Sequence, residues 1–398
     1  MSYNYSLPTT GALSFADFFE STGAYSSEIS DATAQRGRLR TVLKGHKKES
    51  QESRDLAAIV NAIEDYLPYL LSITNCLETK ELVTQKNIET SWRSTLSDHI
   101  IHTGSNAPRI VGTDIHYELI FVLLTYAYAT SLQGSEYLLA LQNNGPDMSM
   151  VYNKTADALN TSASLFLFVA DQVIPKWTPA SENNRPVETI REMSVALSKM
   201  TLADAQSVAI SKALIHGKLS KSLAAKLYIG VAGQYEMAYG LISARKSGQE
   251  VSSDLRKYLS DGTMFYKAMA KKYLALDAND NQKMGIAVGF LRDCKADLRS
   301  VQHSSLSKPH IRKSTTVAAR ALKEEENVNE LLQRFTMIND TAAYESVPSR
   351  QDLQRMIPSG RSALELKHYT PPPAMFGQVK NYGGDQEQAG YARSGRYW

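Results

Sequence analysis

Residues 117–133 read YELIFVLLTYAYATSLQ, and between Glu118 and Glu136 nothing carries a formal charge. A helix that crosses lipid needs roughly 20 consecutive apolar residues. Here the strongly apolar part runs only from Leu119 to Ala129, with Thr125 inside it. Thr130, Ser131, Gln133 and Gly134 then make the far end polar. Such a run suits a helix buried on most of its faces in a folded core better than a membrane span. With Asp114 as its cap, the stretch predicts a helix over 114–142.

Around this helix the signals remain helical. Residues 14–20 (SFADFFE) predict a short capped helix, and 30–47 a longer one capped by Ser30/Asp31, with basic residues towards its end as the helix dipole prefers. Over 52–78, Leu56, Ile59, Val60, Ile63, Leu67, Leu70 and Leu71 recur every three or four residues, marking one buried face, with Pro68 as a kink. Residues 80–101 predict a helix around Ile88, Trp92 and Leu96, and 104–112 a loop. Further helices fit 146–175, 186–216, 218–246, 251–276, 280–302 and 313–338. With no convincing strand alternation, the fold class is all-α.

Between about 195 and 300 small residues recur where paired helices would cross closely: Gly230 and Gly233 on one helix, Gly285 and Gly289 on another. Interleaved tyrosines give the stretch the look of tetratricopeptide-type pairs, without a clean 34-residue repeat. Such stacks make curved surfaces for extended or helical partners. From about 340 the composition turns to Pro, Gly, Tyr and polar residues. The expected organisation is a helical domain over 1–340, an extended segment packed on it over 341–376, and a flexible Gly/Tyr-rich tail over 377–398.

Composition excludes several functions. The chain has 398 residues, 43% apolar and 21% charged, as a folded soluble protein has. A formal charge of +3 leaves no nucleic-acid footprint. Two distant cysteines, Cys76 and Cys294, exclude a disulfide scaffold and read as packing residues. The start, MSYNYSLPTTGALSF, has neither a basic region nor a continuous apolar one, so a cytoplasmic protein with indirect or peripheral membrane attachment is expected. Neither GxGxxG nor GxxxxGK[ST] occurs. DHIIH (98–102) offers Asp98, His99 and His102 to a metal, but further ligands at sensible spacing are missing. No enzyme, cofactor or metal centre is expected.

Two surfaces remain. In LADAQSVAISKALIHGKLSKSLAAKLYIG (202–230), two helices meet near His216-Gly217. Leu223 and Leu227 share one face of the second helix, and Ala209 and Lys212 one face of the first. With Lys218, Lys221 and Lys226 nearby, an apolar strip edged by lysines would receive an amphipathic helix bearing leucines and carboxylates. The alternative is that Leu223 and Leu227 fill the core. The basic run Arg36, Arg38, Arg40, Lys44, Lys47 and Lys48 would touch anionic lipid or an acidic partner, or form a solvated helix end. Lys308, His310, Arg312 and Lys313 form a second basic cluster.

Several segments resemble the Bro-type domain family. IETSWRSTL (88–96) followed by YELIFVLLTYAYATSLQG (117–134) is similar to its paired hallmark, and 202–230 to its groove-forming helix pair. LPTTGALSFADFF (7–19), QRGRLRTVLKGHKK (35–48), IEDYLPYLLSI (63–73) and IPSGRSALELKHYTPPPAMF (357–376) look most like the family's fungal ambient-pH branch. The chain leaves no room for the coiled domain and proline-rich tail of larger relatives, and it has no terminal cysteine for prenylation. The resemblance implies an elongated, banana-shaped helical domain with a tetratricopeptide-like core. It also implies a non-enzymatic adaptor that binds the C-terminal amphipathic helix of the main filament-forming ESCRT-III subunit. That role lies in a pH-signalling pathway, beside an arrestin-coupled membrane sensor and upstream of proteolytic activation of a transcription factor. The alternative is endosomal cargo sorting. Recruitment to plasma-membrane or endosomal ESCRT sites would follow. Ala209, Leu223 and Leu227 match groove positions, with Lys212 beside them. Relatives often carry a larger residue where Ala209 stands, which implies a shallower contact here, and Glu where Ser207 stands, a departure that also bears on affinity.

Overall fold

The computed structural model describes residues 2–19, 25–48, 55–98, 106–140, 148–180, 185–244, 251–306 and 317–377. In chain order these form α1 (Ser26–Lys48), α2 (Leu56–Glu78), β1 (Glu89–Arg93), β2 (Arg109–Thr113), α3 (Ile115–Ala140), α4 (Met148–Phe168), α5 (Arg191–Ile215), α6 (Lys221–Ser243), α7 (Ser253–Asp280), α8 (Met284–Leu306), α9 (Val317–Ile338) and α10 (Arg350–Arg355). Each long helix packs chiefly on its sequence neighbours, giving an elongated helical stack.

The opening stretch is α3, the inner helix. From Ile115 to Ser131 every residue but Tyr126 is buried. Burying each Leu or Phe here contributes roughly 1.5–3 kcal/mol. Among the described residues α2 is the other helix long and apolar enough to cross a membrane by composition, and its apolar face also lies in the core. It continues through Pro68. α1 begins at Ser26, so Ser30 and Asp31 lie inside it rather than capping it.

One carboxylate joins the first half of the fold. Glu118, fully buried in α3, accepts from Arg36 Nε of α1 at 2.8 Å, Trp92 Nε1 of β1 at 2.7 Å and Tyr66 Oη of α2 at 3.3 Å. The Arg36 guanidinium also donates to the Gly11 carbonyl at 2.9 Å and Thr10 Oγ1 at 2.7 Å. Burial opposes the charge on Arg36, and the charge and hydrogen bonding of Glu118 help to outweigh it, raising its pKa. Further polar ties link later helices. Asp204 of α5 accepts from Tyr235 of α6 and, at 3.2 Å, from Tyr258 of α7. Lys271 of α7 meets Asp297 of α8 at 2.6 Å. Arg299 of α8 meets Glu325 of α9 at 2.8 Å.

The helix expected over 80–101 is replaced by strand β1, which pairs antiparallel with β2, where 104–112 predicted a loop; Trp92 stands opposite Ile110. The cause is an ambiguity of spacing. Ile88, Trp92 and Leu96 are four apart, which suits a helix turn and also every second residue of an extended chain. Thr90 and Ser94 between them are buried too, so the true period is two, hidden by polar side chains.

The C-terminal segment runs back over the stack. α9 ends in a wider turn at Asn339–Ala343, and Tyr344 has φ 50°. Ser346 and Val347 lie against Gly285 and Gly289 of α8, and α10 buries Leu353 there. Residues 360–361 then cross α6, where the Arg361 amide donates to the Lys226 carbonyl at 2.9 Å. Asn160 of α4 donates to the Glu365 carbonyl at 2.8 Å and accepts from the Lys367 amide at 2.9 Å. At the far end the Ser72 hydroxyl of α2 accepts from the Met375 and Phe376 amides at 2.7 and 3.0 Å. Gly230, Gly285 and Gly289 therefore admit this strap, not a crossing helix, while a Cβ on Gly233 would meet nothing within 4 Å.

Candidate partner-binding surface

The α5–α6 corner is built by local rules. Gly217, at φ +64°, ends α5 in a left-handed turn that Cβ-bearing residues adopt at a cost. Its amide donates to the Leu214 carbonyl at 3.0 Å, and that of Lys218 to Ala213 at 3.0 Å. Ser220 then caps α6, its hydroxyl accepting from the Leu223 amide at 3.2 Å. The two helices thus run back to back with a five-residue corner at 216–220.

Along this surface Ala209, Lys212 and Leu223 are half-buried and Ile215 is 54% exposed. Lys212 Nζ donates to Asn153 Oδ1 of α4 at 2.7 Å, so α4 forms the surface's outer edge. Lys221 is tied to Asp280 at the end of α7 at 2.6 Å, while Lys218 is exposed. Leu227 departs from the open strip expected: it is 9% exposed and belongs to the core. The two leucines share a face of α6, and Leu227, a turn further from the corner, is covered by the core while Leu223 near the helix start stays partly open. Leu223 itself packs partly on that core.

The strap closes one end of the surface. Arg361 sits on Lys226 and Gly230 of α6, and the Ala363 amide lies 3.4 Å from Gln206 Oε1 of α5. Leu364 packs on a small cluster of Leu159, Ala205 and Val208. Between Gln206 and the corner at His216, α5 offers about 15 Å, close to three helical turns. Asn153 escaped the sequence reading, as did the place of the strap beside this surface, because neither an asparagine on α4 nor an irregular segment more than 130 positions away announces its neighbour.

The basic run divides. Arg36 is corrected: it is 1% exposed and serves Glu118, so it offers nothing to a membrane or partner. Its place among the apolar positions Ala32, Leu39 and Leu43 was the available signal. Arg38 is exposed and engaged by Asp65 at 2.6 Å. Arg40, Lys44 and Lys47 are half-buried and Lys48 exposed. The strand pair brings Arg93 and Arg109, which stand opposite each other, up to them.

Elsewhere the chemistry is structural. Burial pushes the Cys76 thiol up to about 11 and that of Cys294 to about 12, away from thiolate reactivity. Asp204 is fully buried, and burial lifts its pKa from 3.8 to about 6 against the pull of its tyrosine hydrogen bonds. Among the described residues no group of His, Cys, Asp and Glu could hold a metal ion. His99, His102 and the 308–313 cluster lie outside the described residues.

The elongated helical stack is that of a known class. The BRO1-like domain model matches residues 14–371, and the chain belongs to that family. Two curated relatives are both named pH-response regulator protein palC. The chain is 27% identical to that of Cryptococcus neoformans var. neoformans serotype D, over 100% of this chain and 99% of the relative. It is 25% identical to that of Emericella nidulans, over 94% of this chain and 90% of the relative. In three dimensions it is similar to the BRO1 domain in the ALIX BRO1 CHMP4C complex, with TM-score 0.67 and 16% identity over 94% of this chain and 97% of that one. It is also similar to the domain described in "Structure basis for endosomal targeting by the Bro1 domain", with TM-score 0.63 and 14% identity over 92% of this chain and 93% of that one.

Proposed function

We propose that this protein is a non-enzymatic adaptor in ambient-pH signalling, which holds the C-terminal amphipathic helix of an ESCRT-III filament subunit on the α5–α6 surface. The observation that carries the signalling role is the match to palC proteins over essentially their whole length. Support for the partner comes from the neighbouring ALIX domain, whose complex contains CHMP4C, an ESCRT-III subunit. The surface has the matching chemistry. Ala209, Leu223 and Ile215 offer apolar area, Lys212 and Lys218 border it, and the strap and the corner leave room for about ten residues of helix. Leu227 supports this floor from below rather than meeting the partner broadly.

In a fungal strain lacking the corresponding protein, this chain should restore proteolytic activation of the pH-responsive transcription factor at alkaline pH. A Lys212→Glu/Leu223→Asp variant of unchanged abundance should not. Restoration of endosomal cargo sorting alone, with activation still absent, would replace the signalling role by the sorting role.

A further inference from the structure

A second surface lies on the opposite part of the chain, where α1 meets the β1–β2 hairpin. Arg40, Lys44, Lys47 and Lys48 come from α1, Arg93 from β1 and Arg109 from β2. Their proximity is felt in their ionisation. Burial lowers the Lys44 pKa, and Arg40, Arg109 and Lys48 lower it further. Lys47 is lowered by burial and then by Arg93 and Arg109. Arg109 in turn is lowered by burial, Arg93 and Arg40.

No carboxylate neutralises this cluster among the described residues. Asp65, on the neighbouring α2, is engaged by Arg38. Arg93 donates only to neutral oxygens: Thr9 Oγ1 at 2.9 Å and the carbonyls of Asn106 and Ala107. The Nε of Arg40 is shielded from solvent and has no hydrogen-bond partner. Like charges held this close repel, and a cluster with no acid beside it among the described residues favours an anion from outside.

An apolar side chain lies among these cations. β2 alternates strictly, with Ile110 and Gly112 inward and Arg109 and Val111 outward. Val111 is 60% exposed, two residues along the same face from Arg109. An acidic peptide would answer the charges but leave Val111 without a use. A bilayer answers both, because lipid phosphates and carboxylates meet the cations while a projecting aliphatic side chain enters the interfacial region.

We propose that the α1–hairpin face is an attachment surface for anionic membrane, formed by Arg40, Lys44, Lys47, Lys48, Arg93 and Arg109 with Val111 as its apolar contact. It differs from the basic run visible in the sequence. Arg36 is withdrawn into the core, Arg38 is engaged by Asp65, and the hairpin supplies two cations that lie more than 40 positions downstream. The face is independent of the α5–α6 surface, so partner and membrane could be held together.

The test is sedimentation of the full chain with vesicles of phosphatidylcholine alone or with 30 mol% phosphatidylserine, at low salt. Wild type should bind only the anionic vesicles and be released by high salt. Each cation near a charged bilayer alters the partition coefficient about fivefold, so Lys44→Gln/Arg109→Gln should weaken binding about 25-fold. A control of equal net charge, Lys323→Gln/Arg334→Gln on α9, should bind as wild type does. Val111→Ser should weaken binding by up to about tenfold, and thermal melts should show all variants folded. Equal binding to both vesicle types would overturn the proposal, as would equal losses in the α1–hairpin variant and the α9 control. Binding to poly-glutamate without binding to vesicles would overturn it in favour of an acidic protein.

Discussion

Gly230→Ala is the substitution whose outcome the strap geometry dictates most sharply. A Cβ at this position would fall against the Arg361 carbonyl oxygen, well inside contact distance, and 2.8 Å from its carbon. The obstacle is backbone, so no side-chain rotation relieves it. Gly360 is equally confined, since a Cβ there would lie 2.7 Å from the Gly230 nitrogen. The strap must therefore lift from α6, losing the Arg361–Lys226 backbone bond. Overpacking of this kind costs about 1–3 kcal/mol and the bond about 1 kcal/mol more. Better helix propensity returns about 1 kcal/mol, leaving a net loss of roughly 1–3 kcal/mol. Gly233→Ala, three residues on, meets nothing within 4 Å and should stabilise by up to about 1 kcal/mol. Urea denaturation reads both, and hydrogen exchange should show faster exchange at Arg361 and Ala363 in Gly230→Ala alone. Equal stability of the two variants, with unchanged exchange in the strap, would refute the close approach.

Other perturbations test the polar ties. Glu118→Gln leaves the Arg36 charge unpaired at a site 1% exposed, and should cost about 3–5 kcal/mol in urea denaturation; an unchanged midpoint would remove the hub. Asp204 should make stability fall with rising pH. Its folded pKa of about 6 exceeds its ordinary 3.8, so its contribution is complete below 3.8 and lost as pH rises through 6. Relative to Asp204→Asn, wild type should therefore lose on the order of 3 kcal/mol across that window; parallel pH profiles would contradict the assignment. Ser72→Ala removes the acceptor of the Met375 and Phe376 amides, and should cost about 1 kcal/mol and expose the end of the strap to limited proteolysis.

Much of the fold was legible because helix signals are local. The length and charge-free interior of 117–133 identified a core helix, and His216-Gly217 placed the α5–α6 corner. Three features were hidden for separate physical reasons. The hairpin's period of two was masked by buried Thr90 and Ser94. Arg36 read as part of a surface basic run because its partner Glu118 lies more than 80 positions away in the chain, and a buried ion pair shows in sequence only as two ions in apolar patterns. Gly230, Gly285 and Gly289 signalled close approach and Gly233 did not, and spacing within a helix cannot say whether a helix or a returning strap fills the space. At the α5–α6 surface the residue types were readable. Which leucine faces outward was not, since Leu223 and Leu227 share a helical face and only packing separates them.

The central claim is tested most directly by titrating the purified chain with the C-terminal helix of the ESCRT-III filament subunit, with melts recorded alongside. The account predicts saturable binding by wild type and loss of about tenfold or more in Lys212→Glu/Leu223→Asp at a nearly unchanged melting temperature. It also predicts that Leu227→Asp lowers the melting temperature, because Leu227 belongs to the core. Undiminished binding by a folded Lys212→Glu/Leu223→Asp protein, or no binding by wild type, would contradict it.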